Sequence, residues 1–266
     1  MAVRVAHQAT GIAEVVIDAP PVNALDVAGW FELARALNAQ GSEPGTRALV
    51  LRAEGRGFCA GVDIKEMRRP PRAGAGAYGA LLGANSGCAA AFSAVYDCPV
   101  PVIAAVHGFC LGGGVGLVGN ADIVIASDDA YLGLPEVDRG ALGAATHLAR
   151  LVPQQRMRHM VYTAQYATAA ELHGYGSVLA VVDRDRLRET ALDVAARIAA
   201  KDVVVIRAAK QSLNGIDPVD VKRSYRYEQG FTFELNLTGV SDRLREGFGR
   251  GDGAGDPGGP AQGEGT

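Results

Sequence analysis

Five glycines lie between positions 112 and 119 in "HGFCLGGGVGLVGNAD" (107–122), and no acid appears until Asp122. Side chains with little chemistry of their own leave the backbone as the working group. Gly114 to Gly119 also spell G-x-G-x-x-G, with Glu136 or Asp138 placed to serve as a ribose acid further on. That dinucleotide reading fails on position. "HGFCL" separates the glycines from the preceding strand-like run "VPVIAAV", where the fingerprint should follow its strand at once. Close helix–strand packing explains the glycines better than a nucleotide does. A third reading joins this segment to a second glycine loop, "CAGVD" (59–63). A helix that starts near Gly113 points free N–H groups and its positive end outward. Val62 offers another N–H. Two convergent backbone donors form an oxyanion hole, suited to a carbonyl that gains negative charge.

The other reactive side chains have plainer readings. Cys59, Cys88, Cys98 and Cys110 show no C-x-x-C spacing, which argues against a metal or redox site and for free thiols. His147 sits on an apolar helix and reads as a satisfied core histidine. Lys65 reads as solvated, although a phosphate contact is open to it. Asp138 and Arg139 read equally well as a surface ion pair or as part of a ligand pocket. Tyr225, Tyr227, Phe231 and Phe233 read as helix packing, against this chain or a neighbouring subunit. Arg243 and Arg245 read as solvent-facing, with a phosphate contact as the alternative.

The elements that would position these groups alternate between strand and helix. "IAEVVID" (12–18) and "RALVLRAEG" (47–55) read as strands. "VAGWFELARALNAQ" reads as a helix with Trp30, Leu33 and Leu37 on one stripe and Asp26 as its N-cap. "RGFCAGVDIKEM" (56–67) is a glycine loop leading into a short helix, and "LLGANSGCAAAFSAVYDC" is a helix. "VPVIAAV" and "DIVIAS" read as buried strands. Helical stretches are predicted around 145–174, a short strand at "SVLAVV", and helices throughout 183–248. The Pro- and Gly-rich run 68–79 predicts mobility, and the tail 249–266, which has no apolar anchor, predicts disorder. The pattern predicts an α/β core with largely parallel pairing over residues 1–195. A helical lid or oligomerisation module at 196–248 and the tail at 249–266 complete the division. The 266 residues carry a net charge of -3, which gives no support for nucleic-acid binding. No run of eighteen apolar residues predicts a membrane span, and the N-terminus lacks the apolar stretch of a secretion signal. A cytoplasmic location is the expectation.

"PPVNALD", "RGFCAGVDIKEM", "PVIAAVHGFCLGGGVGLVGNADIVIAS" and "LGLPEVDRG" occur in the order and spacing of the crotonase, or enoyl-CoA hydratase/isomerase, superfamily, which the chain resembles over roughly residues 10–248. The resemblance implies a spiral of ββα units, a homotrimer or dimer of trimers, and an acyl-CoA thioester as substrate, with no separate cofactor and no metal. It implies oxyanion donors at the N–H groups of Val62 and Gly113, and a CoA-binding strip around Ala24, Ala60, Asp63 and Ile64. Gly112, Gly116, Asp138 and Arg139 fall where the acyl group would lie. The hydratases of this superfamily use two glutamates. One corresponds to Glu136 in the "PE" dipeptide. The place of the other is Gly116, which has no titratable group and is expected to free space for a bulkier acyl group.

A narrower resemblance extends beyond the shared motifs. "RAEGRGFCAGVDIKEM", "GLPEVDRGALGAATHLARLVPQ" and "YRYEQGFTFELNL" are similar to a branch of ring-opening hydrolases of actinobacterial steroid (cholesterol) breakdown, which act on a bicyclic indane-dione CoA thioester. That branch implies C–C bond hydrolysis, with Glu136 as the base and the thioester enolate held in the oxyanion hole. An enoyl-CoA hydratase or isomerase is the alternative. A non-catalytic acyl-CoA binder is the alternative of another class, and Glu136 counts against it, because a pure binder needs no base.

Overall fold

The computed structural model describes residues 2–8, 11–67 and 79–248. A hairpin opens the chain, β1 (Val3–Gln8) and β2 (Ile12–Ile17), paired antiparallel from Val3↔Ile17 to Gln8↔Ile12. Four units then follow one plan, in which a strand of a six-stranded sheet is followed by a short strand set into a smaller sheet. β2 leads to β3 (Ala24–Leu25) and α1 (Val27–Ser42). β4 (Ala48–Ala53) leads to β5 (Gly61–Val62), α2 (Ile64–Met67) and α3 (Gly79–Tyr96). β6 (Val102–Val106) leads to β7 (Phe109–Leu111) and α4 (Gly113–Val118). β8 (Ile123–Ser127) leads to β9 (Tyr131–Gly133), a 3-10 turn (Pro135–Arg139) and α5 (Ala145–Leu148). Then come α6 (Gln154–Thr163), β10 (Tyr166–Thr168), α7 (Ala169–Gly174) and β11 (Ala180–Val182). Four helices finish the described chain: α8 (Arg184–Ala199), α9 (Val203–Gly215), α10 (Val221–Leu237) and α11 (Val240–Phe248).

The large sheet runs β1-β2-β4-β6-β8-β11 and is parallel from β2 onward. β7 pairs parallel with β9, β9 antiparallel with β10, and β3 parallel with β5. This is the expected spiral of ββα units. The sheet is buried on both faces. Ile12, Val50, Ile103 and Ile125 meet Leu187, Ala191 and Val194 of α8. Val15, Leu51, Ala104 and Val124 face the main core, which includes Trp30, Leu33 and Leu37 of α1. The predicted N-cap holds, with Asp26 accepting from the Gly29 N–H at 2.7 Å.

Two readings of the sequence change, and two fall outside the described residues. β2 is buried at all six positions, although "IAEVVID" alternates in polarity. Its polar member, Glu14, is fully buried and is bonded by Arg52 at 2.7 Å and by Arg188 at 2.8 and 2.6 Å. The stretch 145–174 is not wholly helical, because Tyr166–Thr168 forms β10, held by its ladder to β9. The run 68–79 expected to be mobile lies outside the described residues up to 78, and Gly79 opens α3. The tail 249–266 also lies outside them. Among the described residues, no helix is long and apolar enough to cross a membrane.

Candidate active site

The two glycine loops meet. Leu111 donates its N–H to Cys59 O at 2.8 Å, and Cys59 pairs with Cys110 across the loops. Gly61 has φ +88°, a conformation that favours glycine, and a Cβ there would lie 3.1 Å from Gly113 N. Gly113 is the first residue of α4, so no carbonyl of that helix lies behind its N–H. Asp63 donates its N–H to Leu25 O at 2.9 Å. Amides alternate sides along a parallel ladder, so the Val62 N–H faces away from β3. Val62 and Gly113 both line one cavity of about 150 Å³.

Glu136 lines the same cavity. Pro135, in the first turn of the 3-10 segment, and left-handed Gly140 (φ +66°) after it fix the two ends of this short element. The carboxylate is wedged between two glycines. A Cβ on Gly112 would collide with its Oε1, and a Cβ on Gly143 would fall 2.6 Å from its Cδ. The residue is half-buried because it borders the cavity, yet its Oε2 is closed to solvent and has no hydrogen-bond partner. Burial pushes the carboxyl up to about 7. Its own backbone and the Arg139 charge pull the other way, and the Glu228 charge adds to the rise. A carboxyl poised near neutrality suits a general base or acid.

Of the residues picked out in the sequence, the cavity gathers Ala60, Val62, Ile64, Gly112, Gly113, Glu136 and Arg139. It does not gather Ala24, Asp63, Asp138 or Gly116. Ala24 pairs with Gly61 in the β3–β5 ladder. Asp63 turns its carboxylate back to the Lys65 N–H at 2.9 Å. Asp138 is exposed. Gly116 opens no free space, contrary to expectation. It is buried, and a Cβ there would run into the ring of Phe92. Phe92 occupies the volume a second acid would need.

His147 is buried as expected but only half satisfied. Its Nδ1 takes a bond from the Asn120 amide at 3.0 Å, which leaves the proton on Nε2, and Nε2 has no partner. Burial, with Arg150 nearby, pushes the imidazole down to about 3. The Phe92 ring, 4.9 Å away centroid to centroid, screens it from the cavity. All four cysteines are buried, and burial pushes the Cys59 thiol up to about 12. These are not thiolate nucleophiles. Among the described residues no group of three His, Cys, Asp or Glu is placed to hold a metal. Lys65 is exposed. Tyr225 packs inward on Phe92 and His147, whereas Tyr227 and Phe231 are exposed.

Several cavity residues escaped the sequence reading: Asn85, Cys88 and Phe92 from α3, and Thr232 and Asn236 from α10. Arg245 of α11 also lines the cavity rather than facing solvent. Their signal was helical spacing. Leu81, Asn85, Cys88 and Phe92 form one face of α3. Gln229, Thr232 and Asn236 form a buried polar stripe on α10. Immediately before Gln229, Glu228 accepts from the N–H groups of Ala145 and Thr146 at 2.9 and 3.1 Å, and so ties α10 to the start of α5.

Residues 7–234 match the family model described as enoyl-CoA hydratase/isomerase. A Rhodococcus jostii protein named (7aS)-7a-methyl-1,5-dioxo-2,3,5,6,7,7a-hexahydro-1H-indene-carboxyl-CoA hydrolase is 65% identical over 238 residues, covering 90% of each chain. The Mycobacterium tuberculosis protein of the same name is 61% identical over 90% of this chain and 94% of its own. An enoyl-CoA hydratase/isomerase structure from Xanthobacter autotrophicus superposes with a TM-score of 0.80 at 25% identity, over 94% of this chain and 96% of that one. The glycine loops that meet at Gly61 and Gly113, the glutamate beside them and the spiral that carries both fit these relatives, and the chain belongs to the enoyl-CoA hydratase/isomerase family.

Proposed function

We propose that this chain is a C–C hydrolase that opens a ring of the bicyclic indane-dione CoA thioester named for its relatives. The observation that carries the reading is 65% identity to such a hydrolase over nine-tenths of both chains. The site chemistry supports it independently. A hydration site needs two carboxylates, and Phe92 fills the second place above Gly116. Ring hydrolysis needs one base and an electron sink.

The mechanism uses Glu136 and two backbone N–H groups. The Glu136 carboxylate takes a proton from water, and the hydroxide adds to the ring ketone carbon. The resulting alkoxide re-forms its carbonyl and breaks the bond to the ring-fusion carbon. That electron pair moves through the alkene to the thioester oxygen, where the N–H groups of Val62 and Gly113 receive it. Each such donor stabilises a transition state by roughly 3 kcal/mol. Protonated Glu136 returns its proton to the ring-fusion carbon. The net change is one water consumed, one carboxylate formed and the thioester kept. On this reading Ala60 and Ile64 border the thioester, and the chain works without a separate cofactor as a cytoplasmic homotrimer or dimer of trimers.

The test is product analysis with the bicyclic thioester. Hydration and ring hydrolysis both add one water, so mass alone does not separate them. We expect a derivatisable free carboxylate and an intact thioester, and Glu136→Gln should lower turnover by about 10²–10⁴ while CoA affinity is kept. CoA released in step with turnover would mark a thioesterase and overturn the mechanism. Turnover of the folded Gln variant within a few-fold of the parent would remove Glu136 as the base.

A further inference from the structure

Gly143 presses on Glu136 from one side, and the loop that carries Gly143 is itself held by α10. The loop leaves the 3-10 turn with the Ala141 N–H donating to the Glu136 carbonyl at 3.1 Å. Leu142 is then pinned twice by one hydroxyl. Its N–H donates to Thr232 Oγ1 at 3.2 Å, and Thr232 Oγ1 donates to the Leu142 carbonyl at 3.1 Å. Glu228 pins the far end. Its Oε1 accepts from the Ala145 N–H at 2.9 Å, and its Oε2 accepts from the Thr146 N–H at 3.1 Å and hydroxyl at 3.0 Å. Gly143 and Ala144 span the gap between the two pins. A Cβ on Gly143 would fall 2.6 Å from the Glu136 Cδ, so this span is where the loop meets the carboxylate. Glu228 and Thr232 are four residues apart, on one face of α10. The helix is fixed in turn against α3, where the Gln229 amide donates to the Asn85 carbonyl at 3.0 Å.

Docking a helix does not require this arrangement. Apolar side chains would pack α10 on the core without the cost of taking a carboxylate and a hydroxyl out of water. Here both polar groups are directed to backbone on either side of the residue that touches Glu136. We propose that Glu228 and Thr232 are positioning residues for Glu136. They hold the loop so that Gly143 fixes the direction of the carboxylate and keeps water from one side of it. The inference rests on the reading of Glu136 as the base. Charge and reach must be told apart in Glu228, because its charge also acts on Glu136. The ionisable groups around Glu136 are Arg139 of its own turn, Cys88 of α3, Tyr166 of β10, Tyr225 and Glu228 of α10, and Arg245 of α11. Burial pushes Cys88, Tyr166 and Tyr225 up, so they are neutral at pH 7, and the charges that act are those of Glu228 and the two arginines.

The test reads the Glu136 carboxyl itself, by NMR on the full chain with 13C-labelled glutamate carboxyls. The Glu136 signal is the one missing from Glu136→Gln, and in the parent it should titrate near 7. Thr232→Val removes the hydroxyl and changes no charge. Glu228→Asp keeps the charge and shortens its reach. Each should admit water to Glu136 and bring its titration down to about 6.5 or lower. Thr232→Ser should titrate with the parent, which separates a lost pin from a lost fold, and where one variant fails to fold the other carries the test. With the bicyclic thioester, Thr232→Val and Glu228→Asp should lose about tenfold or more in kcat with little change in KM. Parent-like titration in both would overturn the proposal, as would a parent in which Glu136 titrates at an ordinary 4.5. A shift in Glu228→Gln that neither of the other two shares would also overturn it, because charge alone would then link α10 to Glu136. A raised KM at unchanged kcat would make Thr232 a substrate contact and end its positioning role. Shifted titrations in a chain that leaves the bicyclic thioester untouched would uphold the positioning and refute the ring-opening reading instead.

Discussion

At the scale of the residue, the environment of Glu136, the proposed base, gives it a testable pH signature. Base catalysis needs the carboxylate, so kcat/KM should rise with pH through about 7 and level off above it. Stability should run the other way. The folded-state pKa is raised above its usual 4.5, so the folded chain binds more protons between pH 4.5 and 7. The Glu136 contribution to stability is therefore lost as pH rises through that window. Glu136→Gln should melt a few degrees above the parent at pH 8, about 2 kcal/mol, and at the same temperature near pH 4.5. A parent and variant that keep the same melting point at both pH values would show that the carboxyl is well solvated. Glu136 and the missing second acid at Gly116 were legible through the family resemblance, because the "PE" and triple-glycine motifs that carry it are local. What fills the gap was not legible. Phe92 precedes Gly116 by 24 positions, and no periodicity links a residue on one helix to a glycine on another. The loss of His147 Nε2 from any hydrogen bond was hidden for the same reason.

Strands and helices of ordinary length were readable, and short ones were not. α1, α3, β4, β6 and β8 have enough residues to display a period. β7, β9 and β10 have three residues each and exist because neighbouring segments complete their ladders. β2 misled in another way. Alternating polarity normally puts one strand face in water, but here α8 covers that face, and Glu14 is fully buried and paired with Arg52 and with the half-exposed Arg188. Burial opposes ionisation of Glu14, but the hydrogen bonds from Arg188 and Arg52 prevail and hold it at about 2. This clasp joins β2, β4 and α8. Its stability is present above pH 4.5 and lost as pH falls towards 2. Glu14→Gln should cost roughly 3 kcal/mol at pH 7, since it leaves Arg52 and Arg188 facing a neutral group, and the deficit should shrink in acid. Denaturant titrations at pH 7 and pH 3 would measure it, and an equal deficit at both would refute the ionic account.

At the scale of the whole molecule, the last helices do two things. α10 and α11 line the cavity of their own chain with Tyr225, Thr232, Asn236 and Arg245. α9 and the residue that caps its end turn Val204, Val205, Leu213 and Ile216 outward, each between 60% and 73% exposed. An apolar row of that kind is normally covered by a partner surface, and the proposed trimer supplies one. Sedimentation should give the mass of three or six chains for the parent, and Leu213→Glu with Ile216→Glu should yield smaller species. A parent that sediments as a monomer at micromolar concentration would refute the assembly. That this last third is helical was legible, and a lid or an oligomerisation module was the expectation for it. Which residues of that lid face inward was not, because the buried face of α10 is polar and lacks the apolar stripe that marks a packed helix.

The wedge of Gly112 and Gly143 around Glu136 bears on handedness. A carboxylate held from two sides cannot swing around the acyl group between steps. On the proposed mechanism it takes the proton and gives it back from one direction. The hydrogen should therefore enter the ring-fusion carbon on the side that the departing carbonyl carbon has just left, with retention at that centre. In deuterated water the product should carry one deuterium there as a single stereoisomer, visible by proton NMR. An epimeric mixture would mean that the carbanion escapes the site before it is quenched.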